Sequence, residues 1–160
     1  MNAILVVLGG GGHTKQILKL VDMLGNKYKY EYVIGKDDEL SGKKIKIKGK
    51  IFKITNPRRM EDKSLIKVFL KFIPSSIEAI SILLKSKARV ILTCGPALSI
   101  HLCIIGKIFG KKIIFLESWS RVYSKSLAGR FTYPFADLFF VQWPQEKKNY
   151  KNAIYAGRLG

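Results

Sequence analysis

Apolar and polar positions along this 160-residue chain follow two alternating rhythms. Unbroken apolar runs, such as Ile4-Leu5-Val6-Val7-Leu8 and Ile113-Ile114-Phe115-Leu116, lack the alternation of a half-exposed strand and suit strands covered on both faces of a parallel sheet. Between the runs, apolar residues recur at helical spacing. Ile17, Leu18, Leu20, Val21 and Leu24 share one face, with Lys15, Gln16, Lys19 and Asp22 on the other. The pattern predicts strands over 3–8, 31–35, 51–55, 89–94, 112–117, 138–142 and 153–156, and helices over 14–24, about 63–85 and 97–109. Strands alternating with helices need crossover connections, so the expected fold is α/β, a mostly parallel sheet with helices on both faces. No repeat or linker divides the chain, which predicts a single domain over 1–160. The stretch 43–50, where Ile45 and Ile47 alternate with lysines, reads as an exposed edge strand or hairpin whose charges discourage edge pairing.

The first apolar run breaks into Gly9-Gly10-Gly11-Gly12-His13-Thr14. Four glycines remove every Cβ from the turn, so backbone can approach a ligand and present N–H groups at the positive end of the following helix. His13 is the only group there able to move a proton near neutral pH. The spacing fits neither familiar nucleotide fingerprint. Thr14 stands where a dinucleotide loop needs its third glycine, and Lys15 follows the threonine rather than preceding it. A tight strand-to-helix turn capped by Thr14 is the alternative reading.

In a parallel sheet, ligands collect at the carboxyl ends of strands. Two further anomalies fall there: Cys94-Gly95-Pro96, and Glu117-Ser118-Trp119-Ser120-Arg121. A carboxylate closing a buried strand is costly unless solvated or paired, which makes Glu117 a site residue, an ion-pair partner of Arg121 or a loop cap.

Composition narrows the partners. Twenty-nine Lys and Arg against 11 Asp and Glu leave a net charge of +18, which predicts an anionic partner: nucleic acid, anionic lipid headgroups, or sugar-nucleotide or diphosphate substrates. A lysine-rich proteome gives the same balance. At 48% apolar the chain can bury a core without staples. Cys94 and Cys103, the only cysteines, lie in apolar stretches without metal spacing, so buried thiols are expected and no metal or cofactor. No apolar run reaches the roughly 18 residues needed to cross a bilayer, and the chain begins directly on its first strand, so neither a signal peptide nor a spanning helix is expected.

The segment 63–85 is unusual. Lys63, Lys67 and Lys71 form one narrow stripe, and nearly everything else, Phe69 and Phe72 included, is apolar. Such a helix suits a membrane interface, with lysines meeting anionic headgroups, or burial on two sides by sheet and neighbour or by a partner subunit. Pro74 is expected to end or kink it near Ile73. The segment 97–109 reads as a core helix, with His101 a satisfied structural histidine.

Several blocks together are specific. Gly9 to Thr14, Asn56-Pro57-Arg58-Arg59, Cys94-Gly95-Pro96, Glu117-Ser118-Trp119-Ser120-Arg121-Val122, Tyr133-Pro134-Phe135-Ala136-Asp137, Phe140-Val141-Gln142-Trp143-Pro144 and Tyr155-Ala156-Gly157-Arg158-Leu159 run in order along nearly the whole chain. In these blocks the chain resembles the acceptor-binding, membrane-associated subunit family of the UDP-N-acetylglucosamine transferase that adds the second sugar of dolichol-linked oligosaccharides. Bacterial and archaeal relatives in polysaccharide gene clusters share them.

The resemblance implies a Rossmann-like domain equivalent to the N-terminal half of a GT-B glycosyltransferase, inverting and inactive alone. A separate UDP-sugar-binding subunit would complete it, a polyprenyl-diphosphate-linked sugar would be the acceptor, and no metal would take part. It implies His13 as the base that deprotonates the acceptor hydroxyl, with Glu117 orienting it or itself the base. Gly9, Gly10, Gly11, Gly12 and Thr14 would hold a diphosphate, with Arg58, Arg59 and Arg121 as phosphate partners and Gly95, Pro96 and Ser118 alongside. Asp37, Asp38 and Ser41 stand where the family tends to carry Asp and Ser. Membrane contact would rest on Lys63, Lys67, Phe69, Lys71 and Phe72, placing the protein peripherally on the cytoplasmic face. The alternatives are a basic nucleic-acid-binding domain, for which the aromatics of 131–143 have few adjacent lysines, or a non-catalytic membrane adaptor.

Overall fold

The computed structural model describes residues 3–56 and 65–159, with side chains from residue 72 onward in the second stretch. Arg58, Arg59 and Lys63 lie outside the described residues, and Lys67, Phe69 and Lys71 are described in backbone only.

Seven strands form one sheet: β1 (Ala3–Val7), β2 (Lys29–Gly35), β3 (Lys50–Ile54), β4 (Val90–Thr93), β5 (Lys112–Leu116), β6 (Leu138–Val141) and β7 (Ile154–Tyr155). Their order is β3-β2-β1-β4-β5-β6-β7, with every neighbouring pair parallel. The helices are α1 (Gly11–Leu24), α2 (Glu39–Lys43), α3 (Leu65–Lys85), α4 (Ser99–Ile108) and α5 (Leu127–Thr132).

The unbroken apolar runs have the expected physical cause. Alternate residues of β1 face opposite layers, Leu5 and Val7 meeting Ala79 and Leu83 of α3 and Leu102 of α4 in one cluster. Ile4, Val6 and Leu8 meet Ile17, Leu18 and Val21 of α1 in the other. Both sides of the central strands are therefore dry, and a polar residue has no wet face to occupy.

Several expectations change. The stretch 43–50 is no edge strand: its first residue ends α2, and a loop follows before β3. Ile45 and Ile47 dip from that loop against the α1-side core, and the Ile47 carbonyl accepts the Tyr32 hydroxyl at 2.8 Å, so the alternation reports two anchors of a loop. Helix α3 runs through Pro74 unbroken. The missing N–H costs one ladder bond, but burial of Ala79, Ile82 and Leu83 holds the C-terminal half on the core. Gln16, expected on the solvent side of α1, is 1% exposed. Helix α3 is also not buried on two sides within this chain: Ile73, Ile77, Ile80 and Leu84 are 54%, 64%, 39% and 68% exposed. Among the described residues no helix is long and apolar enough to cross a membrane.

His101 is structural but only half satisfied. Ser75 Oγ gives its hydrogen to the Thr55 carbonyl at 2.7 Å, so at 2.9 Å it accepts from His101 Nε2. Nδ1 has no partner among the described residues, and burial pushes the imidazole down to about 4, holding it neutral. Phe72, proposed for membrane contact, sets its ring edge against His101 at 5.2 Å between centroids.

Candidate active site

The strand order reverses direction between β1 and β4, and the loops leaving these two strands flank the switch-point crevice where open α/β sheets bind ligands. The glycine loop leaves β1 and Cys94-Gly95-Pro96 leaves β4. Gly10 and Gly11 have φ of 51° and 55°, a region side chains rarely occupy, and this reversal lets α1 begin at Gly11, three residues earlier than the apolar pattern predicts. Thr14 is therefore no cap. It lies inside the first turns, fully buried, with Oγ1 2.8 Å from Ser41 Oγ.

Two loops grip this turn. Asp38 Oδ2 accepts the Gly10 N–H at 3.0 Å, while Oδ1 accepts the Ser41 N–H at 3.0 Å and so caps α2. On the other side Gly9 packs on Pro96: a Cβ at Gly9 would sit 1.9 Å from Pro96 Cβ. Gly95, at φ 85°, faces the Phe115 ring, 2.9 Å from where its Cβ would be. Gly9 and Pro96 thus set how closely the two loops approach, and Gly95 how closely the loop after β4 packs on Phe115. Gly11 and Gly12 are exposed, with nothing near the Cβ position.

His13 bridges the switch point. Its Nδ1 lies 2.9 Å from the Cys94 carbonyl oxygen. A carbonyl only accepts, so Nδ1 carries the proton and Nε2 of the neutral ring is the basic nitrogen, without a protein partner among the described residues. The Cys94 thiol donates to the His13 carbonyl at 2.9 Å, and burial pushes that thiol up to about 12, so it acts as a clasp rather than a nucleophile.

Of the places the sequence leaves open for Glu117, its bonds are those of the loop cap. It is fully buried, and its oxygens accept from Ser118 N at 2.8 Å, Ser126 Oγ at 2.9 Å, Tyr150 Oη at 2.7 Å and Ser126 N at 3.3 Å. None of these bonds runs to His13 or Arg121. The carboxylate is the keystone of the 118–126 loop and, through Ser126, of the α5 N-terminus, where Ser126 Oγ accepts the Gly129 N–H at 2.8 Å. Arg121 is exposed, and among the described residues its guanidinium bonds Ser124 Oγ alone, at 3.4 Å, which leaves it open to an anion. Ser118 is 4% exposed and shares its hydroxyl with Ser120 at 3.0 Å.

Three residues escaped the sequence reading. Gln16 and Gln142 are buried beneath the loops and bond to each other at 2.7 Å. Glu146 is fully buried, with neither oxygen paired among the described residues. Burial first, then the Glu117 charge, raises it to about 8, with Arg121 opposing. A Gln-Trp-Pro-Gln-Glu string offers no periodicity that marks any of its members as buried. Outside the loop, a groove of about 560 Å³ runs from Gly11 and Gly12 along Lys15 and Lys19 to Lys44 and Lys46, giving the turn a cationic flank.

The sheet is Rossmann-like, and it gathers the glycine turn, His13 and a basic flank at its switch point. The chain belongs to the family described as "Oligosaccharide biosynthesis protein Alg14 like", which matches residues 4–159. It is 37% identical to the UDP-N-acetylglucosamine transferase subunit alg14 of Schizosaccharomyces pombe over 172 residues, covering 96% of this chain and 81% of that one. The human subunit ALG14 is 31% identical over 182 residues, covering 98% and 82%. In fold the chain is similar to Acinetobacter baumannii MurG, with a TM-score of 0.71 at 12% identity, and spans 98% of this chain but 43% of that one. A UDP-N-acetylglucosamine 2-epimerase from Rickettsia bellii gives a TM-score of 0.73 at 14% identity, over 99% and 45%.

Proposed function

We propose that this chain is the acceptor-side lobe of a two-chain, inverting UDP-sugar transferase, with UDP-N-acetylglucosamine as donor and a polyprenyl-diphosphate-linked sugar as acceptor. The observation that carries the reading is the His13–Cys94 bond, which aims the basic role at Nε2 of a ring standing at the mouth of α1. The acceptor hydroxyl gives its proton to Nε2 as its oxygen attacks the anomeric carbon and UDP departs. The exposed N–H groups of Gly11 and Gly12, the groove lysines and Arg121 supply positive charge for a diphosphate, and Arg58 and Arg59 are proposed as further partners. Glu117 is proposed as the support of the 118–126 loop rather than the base. The donor is held by a separate UDP-sugar-binding subunit, as the subunit names of the relatives support.

The exposed apolar stripe of α3 supports a peripheral seat on the cytoplasmic face of a membrane, where a lipid-linked acceptor resides. Lys63, Lys67, Phe69 and Lys71 are proposed to add to that contact. The experiment is reconstitution: this chain, the separately purified UDP-sugar-binding subunit, UDP-N-acetylglucosamine and an N-acetylglucosaminyl-diphospho-polyprenol. Transfer is expected only with both chains present. Transfer by this chain alone, or undiminished transfer by His13→Ala with the partner, overturns the reading, and the second result leaves an adaptor role in its place.

A further inference from the structure

Beneath the glycine loop lies a junction of two side-chain amides. Gln16 on α1 and Gln142 at the end of β6 are 1% and 0% exposed. Gln16 Oε1 accepts from the Trp119 N–H at 2.9 Å and from Gln142 Nε2 at 2.7 Å. Gln16 Nε2 donates to the Gly12 carbonyl at 3.3 Å and to Ser118 Oγ at 3.4 Å. Gln142 Nε2 also donates to the Glu117 carbonyl at 2.9 Å, and Gln142 Oε1 accepts the Leu159 N–H at 3.0 Å.

Both donors and the acceptor of each amide are in use, a complete account for two groups that would each be costly to bury unpaired. The partners belong to three separate rim segments: the glycine loop (Gly12), the loop after β5 (Glu117 to Trp119) and the C-terminal stretch (Leu159). No backbone hydrogen bond joins the glycine loop to the loop after β5 among the described residues. A hydroxyl has a single hydrogen to donate, whereas an amide donates two and accepts at a separate atom, so each glutamine holds partners from different backbones at once.

We infer that Gln16 and Gln142 are positioning residues, a buried relay that fixes the His13-bearing glycine loop against the loop carrying Ser118 and Arg121. This rests on the acceptor-site reading of those loops. It deepens that reading by naming what sets their separation, to which transfer is sensitive because reacting groups must lie within a fraction of an ångström of their productive geometry. The short bonds all end on or leave from Gln16 Oε1 or Gln142, while the two bonds from Gln16 Nε2 are long. Gln16→Leu removes all four bonds of Gln16, including the donation to the Gly12 carbonyl that reaches the glycine loop.

The test has two arms. In the full chain labelled with nitrogen-15, Gln142→Leu, which has no bond to the glycine loop in the wild type, is expected to shift the His13 ring resonances and to speed hydrogen exchange of the Trp119 amide at least tenfold. Unchanged His13 resonances with unchanged Trp119 exchange overturn the relay. In the reconstituted two-chain assay, Gln16→Leu is expected to lose about tenfold or more in kcat at unchanged KM for the UDP-sugar. An unchanged kcat in Gln16→Leu, or a loss confined to KM, overturns the positioning role. Should the wild-type pair transfer nothing, the function reading fails while the resonance and exchange measurements still decide the relay.

Discussion

His13 and Cys94, 81 residues apart in sequence, are joined by a 2.9 Å bond from the imidazole Nδ1 to the Cys94 carbonyl oxygen, across the point where the sheet reverses its strand order. The bond converts an unremarkable half-buried histidine into one with a defined basic nitrogen. Nitrogen-15 spectra of the neutral ring should show the Nδ1–H tautomer as the major form. His13→Ala should cost about 100-fold or more in kcat in the two-chain assay, the usual scale for losing a general base, while its urea midpoint stays close to wild type. A major Nε2–H tautomer would remove the argument for Nε2 as the base.

The glycines of the loop are not equivalent, and alanine tells them apart. Gly9→Ala drives a methyl into Pro96 and should destabilise by about 1–3 kcal/mol, the scale of overpacking a tight contact. Gly12→Ala meets nothing within 4 Å and lies in the first turn of α1, where alanine is the better helix former, so its stability should equal or exceed wild type. If the exposed side of Gly12 receives the acceptor diphosphate, that stable variant should show a raised KM for acceptor. Urea unfolding and acceptor titration measure the two effects separately, and a destabilised Gly12→Ala would contradict the geometry.

Glu146 predicts a pH dependence of stability. Its carboxyl titrates near 4.5 when unfolded and is raised to about 8 in the fold by burial and the Glu117 charge. The native state binds the proton more tightly, so the stability this group contributes is complete below about pH 4.5, falls as pH rises and is gone once pH passes about 8. Glu146→Gln, neutral at every pH, should lose less stability between pH 5 and pH 8 than wild type does. Denaturant midpoints at the two pH values read this difference, and parallel slopes in the two proteins would show that Glu146 is already ionised in the fold.

What the sequence disclosed divides along physical lines. Strands such as 3–8 and 112–117 were legible because burial on both faces leaves no polar register, and the observed β1 and β5 agree with them to within a residue. The glycine turn, Cys94-Gly95-Pro96 and the 117–121 loop were legible as chemistry and meet at one rim. The short helices α2 and α5 were not, because a single turn fixed by a side-chain cap, Asp38 or Ser126, leaves no apolar period. Gln16 was misplaced for a related reason: polarity at a helical position signals solvent only where solvent is the neighbour, and here the neighbours are the loops after β5 and β6. Glu117 was found as an anomaly, but the bonds on which its proposed supporting role rests run to Tyr150 and Ser126, residues 33 and nine positions away.

Helix α3 offers the clearest test of the membrane side of the proposal. Ala79, Ile82 and Leu83 hold it to the core, so the exposed residues Ile77 and Leu84 on its outer face contribute little to folding. Ile77→Asp with Leu84→Asp should therefore shift unfolding by no more than about 0.5 kcal/mol per site, the range of surface substitutions. The same pair should sharply reduce flotation with anionic phospholipid vesicles, because each aspartate removes apolar insertion and adds repulsion from the headgroups. Lys67→Glu with Lys71→Glu should weaken the same binding, and wild-type binding should fall as salt rises, since screening acts on the lysines and not on the apolar stripe. Vesicle binding that survives the aspartate pair would reassign the stripe to a protein partner. Binding lost in both pairs with folding intact would mark α3 as the face on which the protein rests.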